Sequence, residues 1–286
     1  MKCDIIFDGI GEPMKDIREN AINKISVGLE WTASTLDINQ NNKSLIAEIL
    51  AREDISALER AAIISSYKKT IREYVNQADI ARIAVENLKP DAKPEKVNDN
   101  WIIFFFDKAR TVTEDDVKII WGKILAGEIN APGTFSKQLL HTLSIMDSSM
   151  AKRFQKIRSS CFYVPPHLYT FIYRTNRSII RNNDKYKNLD LNYKDFRELD
   201  NLGIIKYRYP HFYTIHNSHK KIYYGKKMIT LNTNRNQIET GNVSLTDIGK
   251  QLCRISPMVV DDRVLDICMD TWRTLGYNPY IEELSM

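Results

Sequence analysis

Three histidines lie within nine residues of the second half of the chain, at His211, His216 and His219. Imidazole binds metals and acts as a general acid or base near neutral pH. Zinc sites usually pair cysteines and histidines at short spacings, and no cysteine or acidic residue stands beside this group. The pattern therefore predicts no metal and no cofactor. With Arg208 and Lys220 as phosphate clamps, His211 and His216 are the candidate catalytic residues of a nuclease, although histidines within a basic loop are the simpler interpretation.

Cations and aromatic rings alternate along residues 206 to 231. Lysine and arginine bind phosphates, and tyrosine rings stack on exposed bases. The predicted nucleic-acid-binding residues are Lys206, Arg208, Lys220, Lys221, Tyr223, Tyr224, Lys226 and Lys227. The alternative is that the rings form the buried face of a sheet and the lysines its solvated face.

The composition is that of a folded globular protein. The 286 residues are 43% hydrophobic and 27% charged, which excludes disordered, collagen-like and disulfide-scaffold classes. Four scattered cysteines, no signal-peptide pattern and no apolar run of membrane-spanning length lead us to expect a cytoplasmic protein without a membrane partner. Nucleotide-hydrolysis, dinucleotide, zincin and α/β-hydrolase motifs are absent, so the protein is expected to be non-enzymatic by itself.

Charge is divided unevenly along the chain. Residues 1 to 150 carry 19 basic and 23 acidic side chains, whereas residues 151 to 286 carry 22 and 13, so the two parts have net charges of −4 and +9. A basic surface of this density favours an anionic partner such as nucleic acid. The shift predicts a domain junction near residues 150 to 165.

The first part is predicted to be helical. Apolar residues recur at spacings of three and four between Ile63 and Leu88, and Ser56 and Glu59 form the S-x-x-E pattern of a helix start. A helix from Ser56 to Leu88 would be about 50 Å long, at roughly 1.5 Å per residue. Such a helix needs a partner, which could be another helix of this chain, a second copy of the protein or a different protein.

The basic part is predicted to contain a winged-helix-like module. A short helix over residues 193 to 202 precedes Gly203 and a strand, residues 206 to 231 follow as an extended β-ribbon, and Thr246 caps a closing helix. The inward residues of the first helix are expected to be Tyr193, Phe196, Leu199 and Leu202.

The charge of that first helix bears on DNA recognition. Its outward positions are expected to hold Lys194 and Arg197 against Asp195, Glu198 and Asp200, a net charge of −1. Helices that enter the major groove normally meet phosphates with basic residues. This count argues against sequence-specific readout by the helix and favours the ribbon as the binding element.

The predicted fold class is therefore mainly α with a small α+β part, an N-terminal helical bundle followed by a C-terminal winged-helix-like domain with an extended β-ribbon. Three segments are expected: residues 1–90 with the long helix, residues 95–160 as a second helical group, and residues 161–286 as the basic domain.

One stretch of the chain resembles a bacterial and prophage family known only as a domain of unknown function. The resemblance covers residues 45 to 160, in the succession WIIFFFD at 101–107, DVKIIWGKILAGEI at 116–129, PGTFS at 132–136 and LLHTL at 139–143. More distantly, FRELDNLGII at 196–205 and LTDIG at 245–249 resemble the alpha family of abortive-infection proteins, which implies defence against phage. Neither resemblance brings catalytic residues.

These observations lead to one expected function and two alternatives. We expect an anti-phage defence protein that assembles through its helical part, with itself or with a helical partner, and binds nucleic acid through its basic part. The alternatives are a nuclease-type toxin that cuts nucleic acid near His211 and His216, and an interaction adaptor with no nucleic-acid partner.

Overall fold

The protein is described by a computed structural model that covers residues 12–29, 42–173, 191–208, 211–216 and 221–284. It divides into two compact units, Met1–Ser144 and Ile145–Met286, and each unit has its own buried core. The first unit is helical, and the second combines helices with antiparallel strands. The predicted class, mainly α with a smaller α+β part, is confirmed. The division falls just before the junction predicted at residues 150 to 165.

The described part of the first unit consists of six helices. They are α1 (Glu12–Leu29), α2 (Asn42–Ala51), α3 (Ala57–Glu86), α4 (Asp99–Ala109), α5 (Asp115–Asn130) and α6 (Lys137–Ile145), with a short 3-10 helix at Pro94–Lys96. Helix α3 packs along α5, and α1 packs against α4. Both predicted N-terminal segments contribute to this unit.

The long helix starts where the sequence predicts. The Ser56 hydroxyl accepts from the Glu59 N–H at 3.2 Å, and the Glu59 carboxylate accepts from the Ser56 N–H at 2.8 Å, so the capping box is confirmed. The buried residues of α3 are Asn76, Ile80 and Ala84, all in its second half. In the first half Leu58 is 80% exposed, so only the second half of α3 belongs to the core.

Several residues of the segment 101 to 136 form one hydrogen-bonded cluster at the end of α5. The buried Glu128 carboxylate accepts from the backbone N–H groups of Gly133 at 2.6 Å and Phe135 at 2.8 Å, and the Trp101 indole donates to the Phe135 carbonyl at 2.7 Å. A Cβ atom on Gly127 would lie 2.6 Å from the Phe135 ring. These residues therefore hold the end of α5 to the turn that follows it, which is a structural task.

The described part of the second unit combines four helices with nine strands. The helices are α7 (Ser148–Ser159), α8 (Tyr193–Asn201), α9 (Asp247–Ile255) and α10 (Asp262–Thr274). The strands are β1 (Cys161–Val164), β2 (His167–Thr170), β3 (Ile205–Tyr207), β4 (Tyr213–His216), β5 (Lys221–Tyr224), β6 (Lys227–Leu231), β7 (Gln237–Gly241), β8 (Val243–Leu245) and β9 (Pro279–Glu283).

The strands form three antiparallel sheets. Five of them form a sheet in the order β2-β1-β5-β6-β9, while β3 pairs with β8 and β4 pairs with β7. The segment expected to be one extended ribbon, residues 206 to 231, instead supplies strands to all three sheets. Alternating apolar residues identified strands there, and β5 and β6 do pair locally as a hairpin. The other pairings of this segment join residues between 21 and 60 positions apart, which no local pattern specifies.

Aromatic side chains form the core of the second unit. The Phe162 ring stacks on Tyr224 with centroids 4.3 Å apart and meets Trp272 of α10 edge-on at 5.7 Å. Cys253 and Cys268 are 4% and 0% exposed, which confirms their predicted place as buried apolar side chains. Burial raises the pKa of the Cys268 thiol, so this side chain stays a neutral thiol.

Candidate nucleic-acid interface

One module of the second unit consists of α8, β3, β8 and α9, which are joined by hydrogen bonds and close packing. The Thr246 hydroxyl donates to the Gly203 carbonyl at 2.5 Å and accepts from the Gly249 N–H at 3.1 Å, so one side chain ends the α8 turn and caps α9. A Cβ atom on Gly249 would lie 2.2 Å from the Ile204 carbonyl oxygen. The two sequence elements expected to bound the module are therefore in direct contact.

Of the three acidic side chains of α8, Asp195 is buried, and Glu198 and Asp200 are half-buried. Asp195, 5% exposed, accepts from the Arg153 Nε of α7 at 2.8 Å, and a second Arg153 nitrogen donates to Glu198. Asp195 also accepts from the Asn192 N–H at 2.8 Å, completing a capping box. Asp200 is half-buried, with one oxygen 3.4 Å from the Tyr207 N–H. All three carboxylates are thus occupied within the unit.

The exposed face of α8 is basic as a result. It presents Tyr193, Lys194, Arg197 and Asn201, and the side chain of Lys194 is 78% exposed. Tyr193 is 56% exposed, so the prediction that it faces inward is wrong. The predicted outward charge of −1 is also wrong, because Asp195 is buried and Arg153 binds it together with the half-buried Glu198, so the fully exposed charges are those of Lys194 and Arg197.

Lys206 and Arg208 lie on the opposite face of β3 from this surface. Between them, Tyr207 stacks on Phe196 of α8 at 5.3 Å, and neighbouring strand residues point to opposite faces. Lys206 is exposed opposite Ser244, and the Arg208 guanidinium lies over the Tyr213 ring at 5.0 Å. The sequence placed these two cations on one ribbon with Lys221, and the structure places them on a different sheet.

The five-stranded sheet has one face with exposed tyrosines. Tyr163 of β1 is paired with Tyr223 of β5, their ring centroids lie 6.2 Å apart, and Lys221 is exposed on the same face. Tyr280 of β9 is 57% exposed beside the same strands. Sequence reasoning found Lys221 and Tyr223 but missed Tyr163 and Tyr280. The signal for Tyr163 is its position between the buried residues Phe162 and Val164, because alternate residues of a strand face opposite sides of the sheet.

Tyr224 must be removed from the predicted binding residues. Its side chain is 0% exposed, its hydroxyl lies 2.7 Å from the Ser159 carbonyl, and burial raises its pKa, so it cannot stack on a base. Lys227 is half-buried and pairs with Asp262 at 2.8 Å. Lys226 is exposed in the β5–β6 turn, and Lys220 lies outside the described residues.

The two candidate catalytic histidines are separated by β4. The backbone carbonyl of His211 accepts from the Asn242 amide at 2.9 Å, while His216 at the other end of the strand has a ring nitrogen 3.4 Å from the Gln237 amide. His211 thus lies beside Asn242, before β4 begins, and His216 lies opposite Gln237 where β4 ends, so the two residues stand at opposite ends of the strand pair. His219 lies outside the described residues. Within the ranges that the structure covers, no three potential ligand side chains are grouped for a metal.

The comparison with protein families gives one match. A family model described as a protein of unknown function (DUF2806) matches residues 62–265, more than two thirds of the chain. The chain belongs to this family. The prediction of an uncharacterised domain family is therefore confirmed. The DUF2806 region begins within α3 and ends within α10, so it includes both the Glu128 cluster and the basic face of α8.

Neither a curated protein nor a solved structure matches this DUF2806 chain. A separate observation concerns membranes. In the part of the chain that the structure describes, every helix is too short or too polar to span a bilayer.

Proposed function

We propose that the second unit binds nucleic acid through the exposed face of α8. The observation that carries this proposal is the burial of Asp195 and the pairing of Arg153 with Asp195 and Glu198, which leave Lys194 and Arg197 as the fully exposed charges of that face. The argument against DNA binding by this helix was its predicted net charge of −1. Arg153 pairs with two of the three acids and so removes most of that argument.

The geometry favours a duplex as the ligand of α8. The major groove of B-DNA is wide enough for one α-helix, and two exposed cations on its outer face can meet phosphates and release counterions. The order α8, β3, β8, α9 agrees with a winged-helix arrangement, in which the helix before the strand pair enters the groove. Half to two-thirds of the hydrogen bonds in such complexes go to phosphate and sugar.

The tyrosine face of the five-stranded sheet supports a second form of nucleic-acid binding. Tyr163, Tyr223 and Tyr280 offer exposed or half-exposed rings for stacking, and Lys221 adds a cation. Base stacking on aromatic rings is typical of single-strand recognition and needs no specific sequence. A single-stranded ligand is therefore the alternative to a duplex on α8.

The test is a fluorescence-anisotropy titration of the full chain with duplex DNA, single-stranded DNA and RNA at two salt concentrations. Salt-sensitive binding strongest for duplex supports α8, and strongest for single strands supports the sheet face. Absence of binding to all three at the lower salt overturns the proposal and favours the protein-interaction adaptor. Degradation of any probe, lost in His211→Ala or His216→Ala, favours the nuclease alternative.

We further propose that the first half of α3 mediates assembly, with a second copy as the partner. Leu58 is 80% and Ile63 is 40% exposed there, so this half of the helix keeps two large apolar side chains at the surface of the described chain. Light scattering of the wild type and of Leu58→Glu/Ile63→Glu tests this. A monomeric wild type contradicts it.

An anti-phage role is proposed from the resemblance to abortive-infection proteins. Its test is plaque counting on bacteria that express the wild type, Lys194→Glu/Arg197→Glu, or the matched surface variant Lys89→Glu/Lys123→Glu. Protection that depends on the α8 cations links nucleic-acid binding to defence, and absence of protection by the wild type contradicts the role.

A further inference from the structure

A polar cavity lies on one face of the β4–β7 strand pair. Thr214 pairs with Glu239 and His216 pairs with Gln237, so these four side chains share one face, while Ile215 and Ile238 of the same strands are buried on the other. The cavity has a volume of about 500 Å³ and is also lined by Arg235, Asn236 and Tyr277. This volume is within the usual range for small-molecule sites, roughly 300 to 1,000 Å³.

The backbone of Glu239 is fixed from both sides. Its N–H donates to the Tyr277 hydroxyl at 3.1 Å, and its carbonyl accepts from the Tyr173 hydroxyl at 2.6 Å. The Tyr173 hydroxyl in turn accepts from the Trp272 indole at 3.0 Å. All three aromatic side chains are at most 1% exposed. The carboxylate of Glu239 therefore stands on a rigid support, as preorganised binding sites do.

One oxygen of that carboxylate lacks a hydrogen-bond donor. The Oε2 atom of Glu239 is shielded from water and has no hydrogen-bond partner. The nearby guanidinium of Arg235 lies over the Tyr277 ring at 5.8 Å and forms no ion pair with Glu239 among the described residues. A buried carboxylate oxygen without a donor destabilises the fold. This oxygen therefore does not stabilise the fold. An N–H donor of a bound ligand would give it a hydrogen-bond partner.

We propose that this cavity binds a guanine base. On its Watson–Crick edge guanine presents two adjacent N–H donors, N1–H and the 2-amino group, which match the two oxygens of one carboxylate. Adenine, cytosine and uracil each present a single donor group there. The amides of Gln237 and Asn236 can serve the guanine acceptors, and Arg235 supplies a cation for a phosphate. If the guanine belongs to a nucleic acid, this inference rests on the proposed function. If it belongs to a free nucleotide, the inference is independent of that function.

The experiment is a calorimetric titration of the full chain with guanosine monophosphate, inosine monophosphate and adenosine monophosphate. Inosine keeps N1–H and lacks the 2-amino group, so it isolates the second donor. We expect guanosine monophosphate to bind tightest. The Glu239→Gln variant should lose between about 5-fold and 150-fold of that affinity, the range of one good bidentate base contact, and should no longer distinguish guanosine from inosine monophosphate.

Two controls separate the site from general effects on the fold. Glu282→Gln makes the same chemical change on an exposed strand residue of the same unit and should bind like the wild type. Glu239→Gln should melt at a temperature close to that of the wild type, because the amide keeps the size of the half-buried side chain and the oxygen that it replaces has no hydrogen-bond partner. Equal binding of guanosine and adenosine monophosphates, or unchanged affinity in Glu239→Gln, overturns the proposal.

Two further arms identify the source of the base and keep this inference distinct from the proposed function. Stronger binding of a short thymidine strand with one central guanine than of the all-thymidine strand identifies a guanine within a single strand. Binding of the mononucleotide without that difference identifies a free nucleotide. Lys194→Ala/Arg197→Ala should leave the mononucleotide titration unchanged, so loss of duplex binding in that variant tests α8 alone.

Discussion

Replacing both exposed cations of α8 by alanine should weaken the salt dependence of duplex binding by a calculable amount. Each phosphate that a protein neutralises on B-DNA contributes about 0.9 to the slope of log K against log salt concentration. Lys194→Ala/Arg197→Ala removes two such contacts, so the slope should fall by about 1.8. If the variant and the wild type bind equally at about 1 M salt, the variant should bind about 60-fold more weakly at about 0.1 M salt and about 9-fold more weakly at about 0.3 M.

The structure indicates that the fold survives this change. Neither side chain binds Arg153, and among the described residues the one ion pair lost is the 3.7 Å contact between Lys194 and Glu198 on the surface. An exposed pair four residues apart contributes about 0.3 to 0.5 kcal/mol, and alanine is a good helix former. Loss of binding in this variant can therefore be assigned to missing phosphate contacts.

Anisotropy titrations of a labelled duplex at four salt concentrations measure the slope. Two variants with the same change of net charge serve as comparisons: Lys206→Ala/Arg208→Ala on the other face of β3, and Lys89→Ala/Lys123→Ala on exposed positions of the first unit. The second should keep the wild-type slope. If the α8 variant also keeps it, or all three lose it equally, the pairing of the α8 acids with Arg153 has no bearing on binding and the reasoning is refuted.

Three further predictions concern stability, and each is checked by urea or thermal unfolding. Glu128→Ala should lower the free energy of unfolding by about 3 kcal/mol, because two backbone N–H groups lose a charged acceptor; a change below about 1 kcal/mol contradicts that role. Gly249→Ala should destabilise by about 2 kcal/mol, since its Cβ would lie 2.2 Å from the Ile204 carbonyl oxygen, whereas helix propensity alone predicts a gain. The Arg263 guanidinium, by hydrogen bonding, holds the pKa of Asp261 below its ordinary value, so this contribution is complete above the unfolded-state pKa of about 3.9 and is lost as the pH falls through the lowered folded-state pKa. Between neutral pH and a pH below that range, the free energy of unfolding should therefore fall less in Arg263→Ala than in the wild type. An equal fall would show that the Asp261–Arg263 pair does not cause the acid sensitivity.

Local signals in the sequence predicted the ends of several helices. Ser56, Gly203 and Thr246 lie at the predicted caps, because a cap depends on a hydroxyl or a positive φ angle within a few residues of the helix end. The long first-unit helix followed from apolar spacing for the same reason. These features need no knowledge of distant contacts.

The features that decide the candidate sites come from distant residues. The charge of the α8 face depends on Arg153, which lies 42 and 45 residues before the two acids that it binds. The tyrosine face joins Tyr163 and Tyr223 through strand pairing over 60 residues. Glu239 gave no signal at all, since one acid in a polar strand is ordinary in sequence and becomes unusual only when its oxygen is buried without a donor.

The position of β9 at the edge of the five-stranded sheet affects how the second unit is synthesised and folded. Pro279–Glu283 is the strand that covers β6, and it pairs with all five residues of Lys227–Leu231. Until residue 283 has been translated, β6 is an edge strand with unpaired N–H and C=O groups and the apolar residues Ile229 and Leu231, which favours pairing with other chains. We expect that a chain cut before residue 279 aggregates, and that the intact sheet folds slowly because its pairings join distant segments.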